Sequence, residues 1–192
     1  MRVLLVAVLA LTGCQAAVPD EMGIEVNPAD YLPEDYPPRI GGVAAVLNGQ
    51  GMVWDTYDYS IGAFDSSVQI TGFNGETRFF LNGEQVGQPN LDKNRLRLFA
   101  LMTGPDQRGA LNAPEIEFIE GDWDGPRLSS VGSAAEVVLD SIVVDEGGYG
   151  GQVKGHFSAT LCEGNGDPIV VDKTKCQPIS GTFDSRLQIS GS

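Results

Sequence analysis

The sequence holds one histidine, three cysteines and two tryptophans in 192 residues, and 12 basic residues stand against 26 acidic ones. Each shortage excludes something. A net charge of −14 repels the phosphates of nucleic acid and anionic headgroups, so neither is expected as a partner. The only histidine is His156, and no Gly-x-Ser-x-Gly turn accompanies it, so the usual nucleophile-and-base hydrolase has no foothold. His-Glu-x-x-His, a glycine-rich phosphate loop followed by Lys, and dinucleotide fingerprints are all missing, and no cofactor is expected. No apolar run approaches the length that crosses a bilayer as a helix.

What is abundant is glycine, 25 residues, with 11 prolines between many short apolar runs. That pattern points to strands and turns rather than long helices. The apolar fraction of 42% suits a folded domain with a sizeable core.

The chain opens Met1-Arg2 and continues with nine apolar residues, Val3 to Leu11. Rising about 1.5 Å each as a helix, they fall well short of a hydrocarbon core of about 30 Å, and match a signal-peptide core instead. Directly behind stands Leu11-Thr12-Gly13-Cys14. This resembles the lipobox of bacterial lipoproteins. The resemblance implies acylation of Cys14, cleavage before it and removal of residues 1–13. Two or three acyl chains would then hold the protein on a membrane. An Asp after the modified cysteine is the inner-membrane retention signal of Gram-negative lipoproteins; Gln15 in that place implies the outer membrane, if the host has one. The alternative is a plain secretory leader cut near Ala16 or Ala17, leaving a soluble domain. Loss of the leader removes Arg2 and no acid, so the mature chain is one charge more negative.

From Gln15 to Pro38 the chain carries Pro19, Pro28, Pro33, Pro37 and Pro38 among six acids, and no Lys or Arg precedes Arg39. Proline and uncompensated acid disfavour helix and sheet, so residues 14–38 read as a lipidated cysteine and acidic tether. At about 3.1 Å per residue this stretch would reach roughly 75 Å if fully extended. Ile24 to Val26 or Tyr31-Leu32 could instead pack on the domain.

Residues 39–192 read as one β-domain. Phe64, Ser66, Val68 and Ile70 alternate with polar neighbours, as do Phe157, Ala159 and Leu161, and Phe183, Ser185, Leu187 and Ile189. Period-two alternation marks half-buried strands. Further strands are expected near 42–48, 77–82, 95–102, 115–120, 136–144 and 168–172. Turn chemistry separates them at Asn48-Gly49, Asn74-Gly75, Asn82-Gly83, Gly104-Pro105, Gly147-Gly148 and Asn165-Gly166. Ala134 to Asp140 has some helical character, but the β-branched residues around it favour strand. The expected fold class is all-β, an antiparallel sandwich or barrel of about nine or ten strands.

Two segments are alike: Gly62 to Gly72 and Gly181 to Gly191 share seven of eleven residues, and Gly155-x-Phe157-x-x-x-Leu161 is a looser third copy. Duplication would explain this, as would the shared physics of amphipathic strands, which the small number of copies favours. A glycine before each Phe permits a bulge or close backbone approach. The stretch Val143 to Leu187, with its Gly-x-Phe-Ser-Ala-x-Leu and second Gly-x-Phe, also resembles β-rich modules of envelope lipoproteins. That similarity implies a sandwich-like fold and no activity.

Once Cys14 is lipidated, Cys162 and Cys176 remain as a pair, which in an oxidising compartment reads as a disulfide. Zinc is the rival reading, but no histidines converge to complete a site.

Gly121-Asp122-Trp123-Asp124-Gly125 is the loop with the most chemistry. Asp122 and Asp124 could ligate Ca²⁺, and Trp123 could stack on a sugar, although a plain acidic turn with Trp123 tucked inward fits the spacing better. Trp54, Asp55, Tyr57, Asp58 and Tyr59 form a second polar-aromatic stretch, more in keeping with an edge strand than a glycan platform. These features together predict an anchored envelope protein, not an enzyme, whose β-domain binds an envelope protein or a glycan or has a structural role. Two other readings stand beside it. One is a barrel carrying a lipid or other apolar ligand, and the other is a glycan-directed hydrolase with paired carboxylates.

Overall fold

In the computed structural model, described residues are 37–59, 66–86, 94–121, 125–166 and 168–190. They contain eleven strands and no helix: β1 (Arg39–Leu47), β2 (Gln50–Tyr57), β3 (Val68–Phe73), β4 (Glu76–Gln85), β5 (Arg95–Met102), β6 (Gly109–Ala110), β7 (Asn112–Ile119), β8 (Arg127–Ser129), β9 (Ala135–Val144), β10 (Gly150–Asn165) and β11 (Val170–Ser190). The all-β class follows from the alternating sequence, and the stretch after Ala134 enters β9 from Ala135, as its β-branched residues require.

The backbone of the fold is the β10–β11 ribbon. These two strands pair antiparallel from Gly150↔Gln188 to Asn165↔Val170, far longer than the ordinary strand of about five or six residues. Each outer edge of the ribbon serves two partners in succession. β11 pairs with β1 over Gly181 and its neighbours and with β3 at Gln188–Ser190. β10 pairs with β9 over Gly151 to Ala159 and with β8 over Cys162 to Gly164. The run β3–β4–β5–β7–β8 therefore joins one end of the ribbon to the other, and all eleven strands belong to one hydrogen-bonded sheet.

The core lies between the ribbon and that run. Phe79 of β4 stacks on Phe183 of β11 with ring centroids 5.8 Å apart, and Trp54 meets Phe118 edge-on at 6.1 Å. Val153, Phe157 and Leu161 from β10 and Ile70, Leu81, Leu96, Leu98 and Ile116 from the facing strands complete a continuous apolar cluster. The glycine-before-Phe pattern has a steric cause here. A Cβ on Gly155 would sit 2.4 Å from the Phe183 ring and 2.3 Å from the Val138 carbonyl oxygen, so only glycine lets β9 and Phe183 close in at the bulge between Lys154 and Gly155.

The sheet is mixed, with β3 and β11 running parallel and the other pairings antiparallel, and it has eleven strands. Three finer expectations are corrected. Asn48-Gly49 and Asn74-Gly75 are turns with both residues at positive φ, but Asn82-Gly83 lies inside β4. Gly83 is there for space: its Cβ would stand 2.9 Å from that of Trp54. Residues near 168–172 are not a separate strand but the start of β11, which continues past a bulge at Cys176. Finally, the Trp54 stretch is not an exposed edge. β2 pairs with β1 and, at Trp54↔Gln85 and Asp55↔Glu84, with β4.

The two similar segments meet in space. The parallel pairs Gln69↔Gln188, Ile70↔Ile189 and Thr71↔Ser190 place equivalent positions side by side, so the sequence match and the strand register share one offset. Phe64 and Gly62, at the head of the first segment, lie outside the described residues.

Candidate functional site

The inner face of the ribbon is filled, so polar chemistry is confined to its outer face and its flanks. Along β10 the odd-numbered residues from Gly151 to Leu161 are buried, while Lys154, His156 and Ser158 are exposed. Antiparallel pairing sets Lys154 opposite Asp184 and His156 opposite Thr182. Lys154 Nζ reaches Asp184 Oδ2 at 2.6 Å, and the Gln152 amide donates to the other oxygen of the same carboxylate. His156 Nδ1 lies 3.1 Å from Asp140 Oδ1, where the bulge in β9 turns that acid toward it. All four of these ionisable side chains are about half exposed.

Across β11 and β1, the outer face drops to small side chains at Gly42, Ala44 and Thr182, then rises to Arg39 and Asp55. The result is a surface groove of about 600 Å³ with a cation–carboxylate pair at either end, Arg39–Asp55 and Lys154–Asp184.

The Arg39 end is backed by a buried polar corner. Asp55 and Glu84 are direct cross-strand neighbours, only 4% and 5% exposed, where β2 runs onto β4. Arg39 Nε donates to Asp55 Oδ1, and the Tyr57 hydroxyl donates to Asp55 Oδ2 at 3.3 Å. The Tyr59 hydroxyl donates to Glu84 Oε1 at 2.6 Å. Burial is the main cause that pushes the Tyr57 phenol up from its ordinary value, with the Asp55 charge adding to it. Tyr59 is raised in the same way, by burial and then by its bond to Glu84. Both phenols therefore stay protonated and act as donors. Next to Glu84 on β5, Arg95 is also buried, so two carboxylates and two guanidiniums share this corner.

Cys162 and Cys176 are bonded, with their sulfurs 2.02 Å apart, across the ribbon. They are register partners at the point where three residues, Lys173 to Lys175, bulge out of β11. The bulge is held by its own contacts. Asp172 Oδ1 accepts from the Thr174 amide and hydroxyl, Lys173 Nζ donates to the Val131 carbonyl and Ser133, and Lys175 pairs with Glu163 at 2.7 Å.

Of the remaining sequence candidates, Cys14, Asp122, Trp123 and Asp124 lie outside the described residues. The loop of the latter three is approached by a bond from the Gly121 amide to Asn94 Oδ1, 2.8 Å. Among the described residues, no three His, Cys, Asp or Glu side chains gather in one place. Trp54 and Tyr57 are in the core, not on a platform. His156 is solvent-facing, opposite the buried Phe157, and its partner Asp140 was invisible in the sequence because only the bulge brings them together. Arg39 and Glu84 were also missed. Arg39 had one signal, being the first cation after a long acidic stretch, and Glu84 was hidden beside a turn-like Asn-Gly. The chain matches no protein-family model, no curated protein and no solved structure.

Proposed function

We propose that this chain is an envelope lipoprotein, anchored through acyl groups on Cys14, whose β-domain is a noncatalytic module that binds or organises partners at its surface. One observation carries the reading of the domain. Phe79 and Phe183 stack in the middle of the core and Phe157 and Trp54 are buried beside them, so the concavity at Arg39–Asp55 and Lys154–Asp184 is on the outside. A carrier of apolar ligands keeps its interior open, and these rings occupy it. The exposed Lys154–Asp184 pair and the part-exposed Arg39 side chain along a shallow groove suit a polar or peptide-like partner.

The hydrolase reading has one point in its favour, the adjacency of Asp55 and Glu84. Both carboxylates, however, accept from tyrosine hydroxyls in a buried corner, which suits structural acids better than a pair straddling a substrate bond. Intact mass spectrometry of the protein extracted from its native membrane tests the anchor. Diacylglycerol on Cys14 with residues 1–13 gone is the expected product, and an unmodified thiol there would sink the proposal. Native mass spectrometry of the same sample tests the module, since a stoichiometric copurifying lipid inside the domain would favour the carrier.

A further inference from the structure

At the end of the molecule where β3 meets β11, two hairpin tips stand apart around a cleft of about 780 Å³. One tip is the Asn74–Gly75 turn, with both residues at positive φ, 51° and 81°. This is the hairpin turn whose twist matches its strands, so it fixes Phe73 opposite Glu76. The other tip joins β9 to β10. The Asp145 amide donates to the Gly150 carbonyl and the Gly148 amide to the Asp145 carbonyl, both at 2.9 Å, and the Ile189 amide donates to the Tyr149 carbonyl. Tyr149 is thus tied by its backbone to the end of β11.

Each tip presents an aromatic ring to this cleft. Phe73 is 55% exposed and Tyr149 81%, the highest exposure among the large hydrophobic side chains of the described residues. Between them the lining mixes hydrogen-bonding side chains, Gln188 and Ser190 from β11 and Thr77 from β4, with apolar Ile70 and Ile189. The charged side chain in the lining, Glu76, is neutralised by Arg78 at 2.8 Å, and the Arg78 guanidinium also sits 4.9 Å over the Phe73 ring. Exposed aromatic rings on both tips, hydrogen-bonding groups beside apolar side chains in the lining and no uncompensated charge there define a narrow class of ligand. A pyranose ring has an apolar C–H face that lies against an aromatic ring and a rim of hydroxyls that bond amides and alcohols. An anionic bilayer fits poorly, because the chain carries −14.

We propose that this cleft binds an uncharged pyranose oligosaccharide, stacked between Phe73 and Tyr149. The proposal gives the binding module a ligand class and rests on that reading, though its site is separate from the charged groove.

Isothermal titration of the full chain, in a detergent without a sugar headgroup, against N-acetylglucosamine, cello- and malto-oligosaccharides tests it. At least one series should bind saturably. Phe73→Ala and Tyr149→Ala should each weaken it about tenfold, as loss of an aromatic stacking partner implies. Tyr149→Phe and Phe73→Tyr should keep affinity within about twofold, and all four should melt with the wild type, since these are surface positions. No binding in any series, alanine variants that bind like wild type, or aromatic-dependent binding to phosphatidylcholine vesicles in place of sugar would each overturn the proposal. Intact mass on the same preparation separates the two readings. A bare Cys14 with sugar binding sinks the anchor alone, and an acylated Cys14 without sugar binding sinks the cleft alone.

Discussion

The β10–β11 ribbon and the corner where β2 meets β4 bury their strands by opposite means. In the ribbon, odd positions go inward and even positions outward for a dozen residues, and what is buried is Val153, Phe157, Leu161, Ile179, Phe183 and Leu187. In the corner, the last four residues of β2, Trp54 to Tyr57, are all buried. β1 and β4 flank this strand end, so both of its edges are paired, and its side chains are buried on both faces. Its outward-facing Asp55 is then lost to solvent and must find Arg39 and Tyr57 instead. The ribbon's outward residues meet the same kinds of charge, Lys154 with Asp184, but in water. The same salt bridge chemistry is therefore structural in one region and incidental in the other, because desolvation makes an unpaired charge costly only in the corner.

Substitutions sort along that contrast. Phe183→Ala removes one partner of the Phe79 stack from the ribbon's inner face and should cost about 3–5 kcal/mol in urea unfolding, the largest single effect. Replacing Cys162 and Cys176 together by Ala frees a loop with a separation of 14 residues and should cost about 3 kcal/mol, seen as a matching loss on adding reductant to the wild type. Asp55→Ala leaves the Tyr57 hydroxyl and Arg39 without their acceptor. A loss of about 2–3 kcal/mol is expected, moderated because the Arg39 side chain is 40% exposed.

The corner should also give the protein an alkaline limb. Tyr57 and Tyr59 have phenols held above their ordinary value in the folded chain. In the unfolded chain they ionise at about pH 10, so the unfolded state then binds fewer protons than the folded one. Stability from these groups is complete below that pH and is lost as pH rises beyond it, by up to about 1.4 kcal/mol per pH unit for each tyrosine. The double variant Tyr57→Phe, Tyr59→Phe should flatten that limb in pH-dependent melting. Lys154→Ala, at the ribbon's wet face, should change stability by less than about 1 kcal/mol and not at all in high salt. A loss as large as that of Asp55→Ala would erase the distinction between the regions.

The ribbon was legible in the sequence for the same reason that it is simple. Its alternation runs unbroken from Gly151 to Leu161 and from Ile179 to Leu187, its glycines precede core phenylalanines, and its two cysteines stand only 14 residues apart. The corner was opaque. Trp54 to Tyr59 alternates in no useful way, Asn82-Gly83 imitates a turn, and Asp55, Glu84 and Arg39 are far apart in the chain. Phe73 and Tyr149 carry no sequence signal as a pair, being ordinary aromatics beside turns 76 residues apart.

Composition and local pattern determined the all-β class, the run of strands, the turns at Asn48-Gly49 and Asn74-Gly75 and the closeness of Cys162 to Cys176, because each depends on composition or on neighbours within a hairpin. Which strand lies beside which was decided only in three dimensions. The parallel contact of β3 with β11, the double cover over Asp55, the bulge that brings Asp140 to His156 and the cleft between two hairpin tips all come from elements distant in the chain. A long-range contact is stabilised by the whole packed core, and no short window of sequence contains that core.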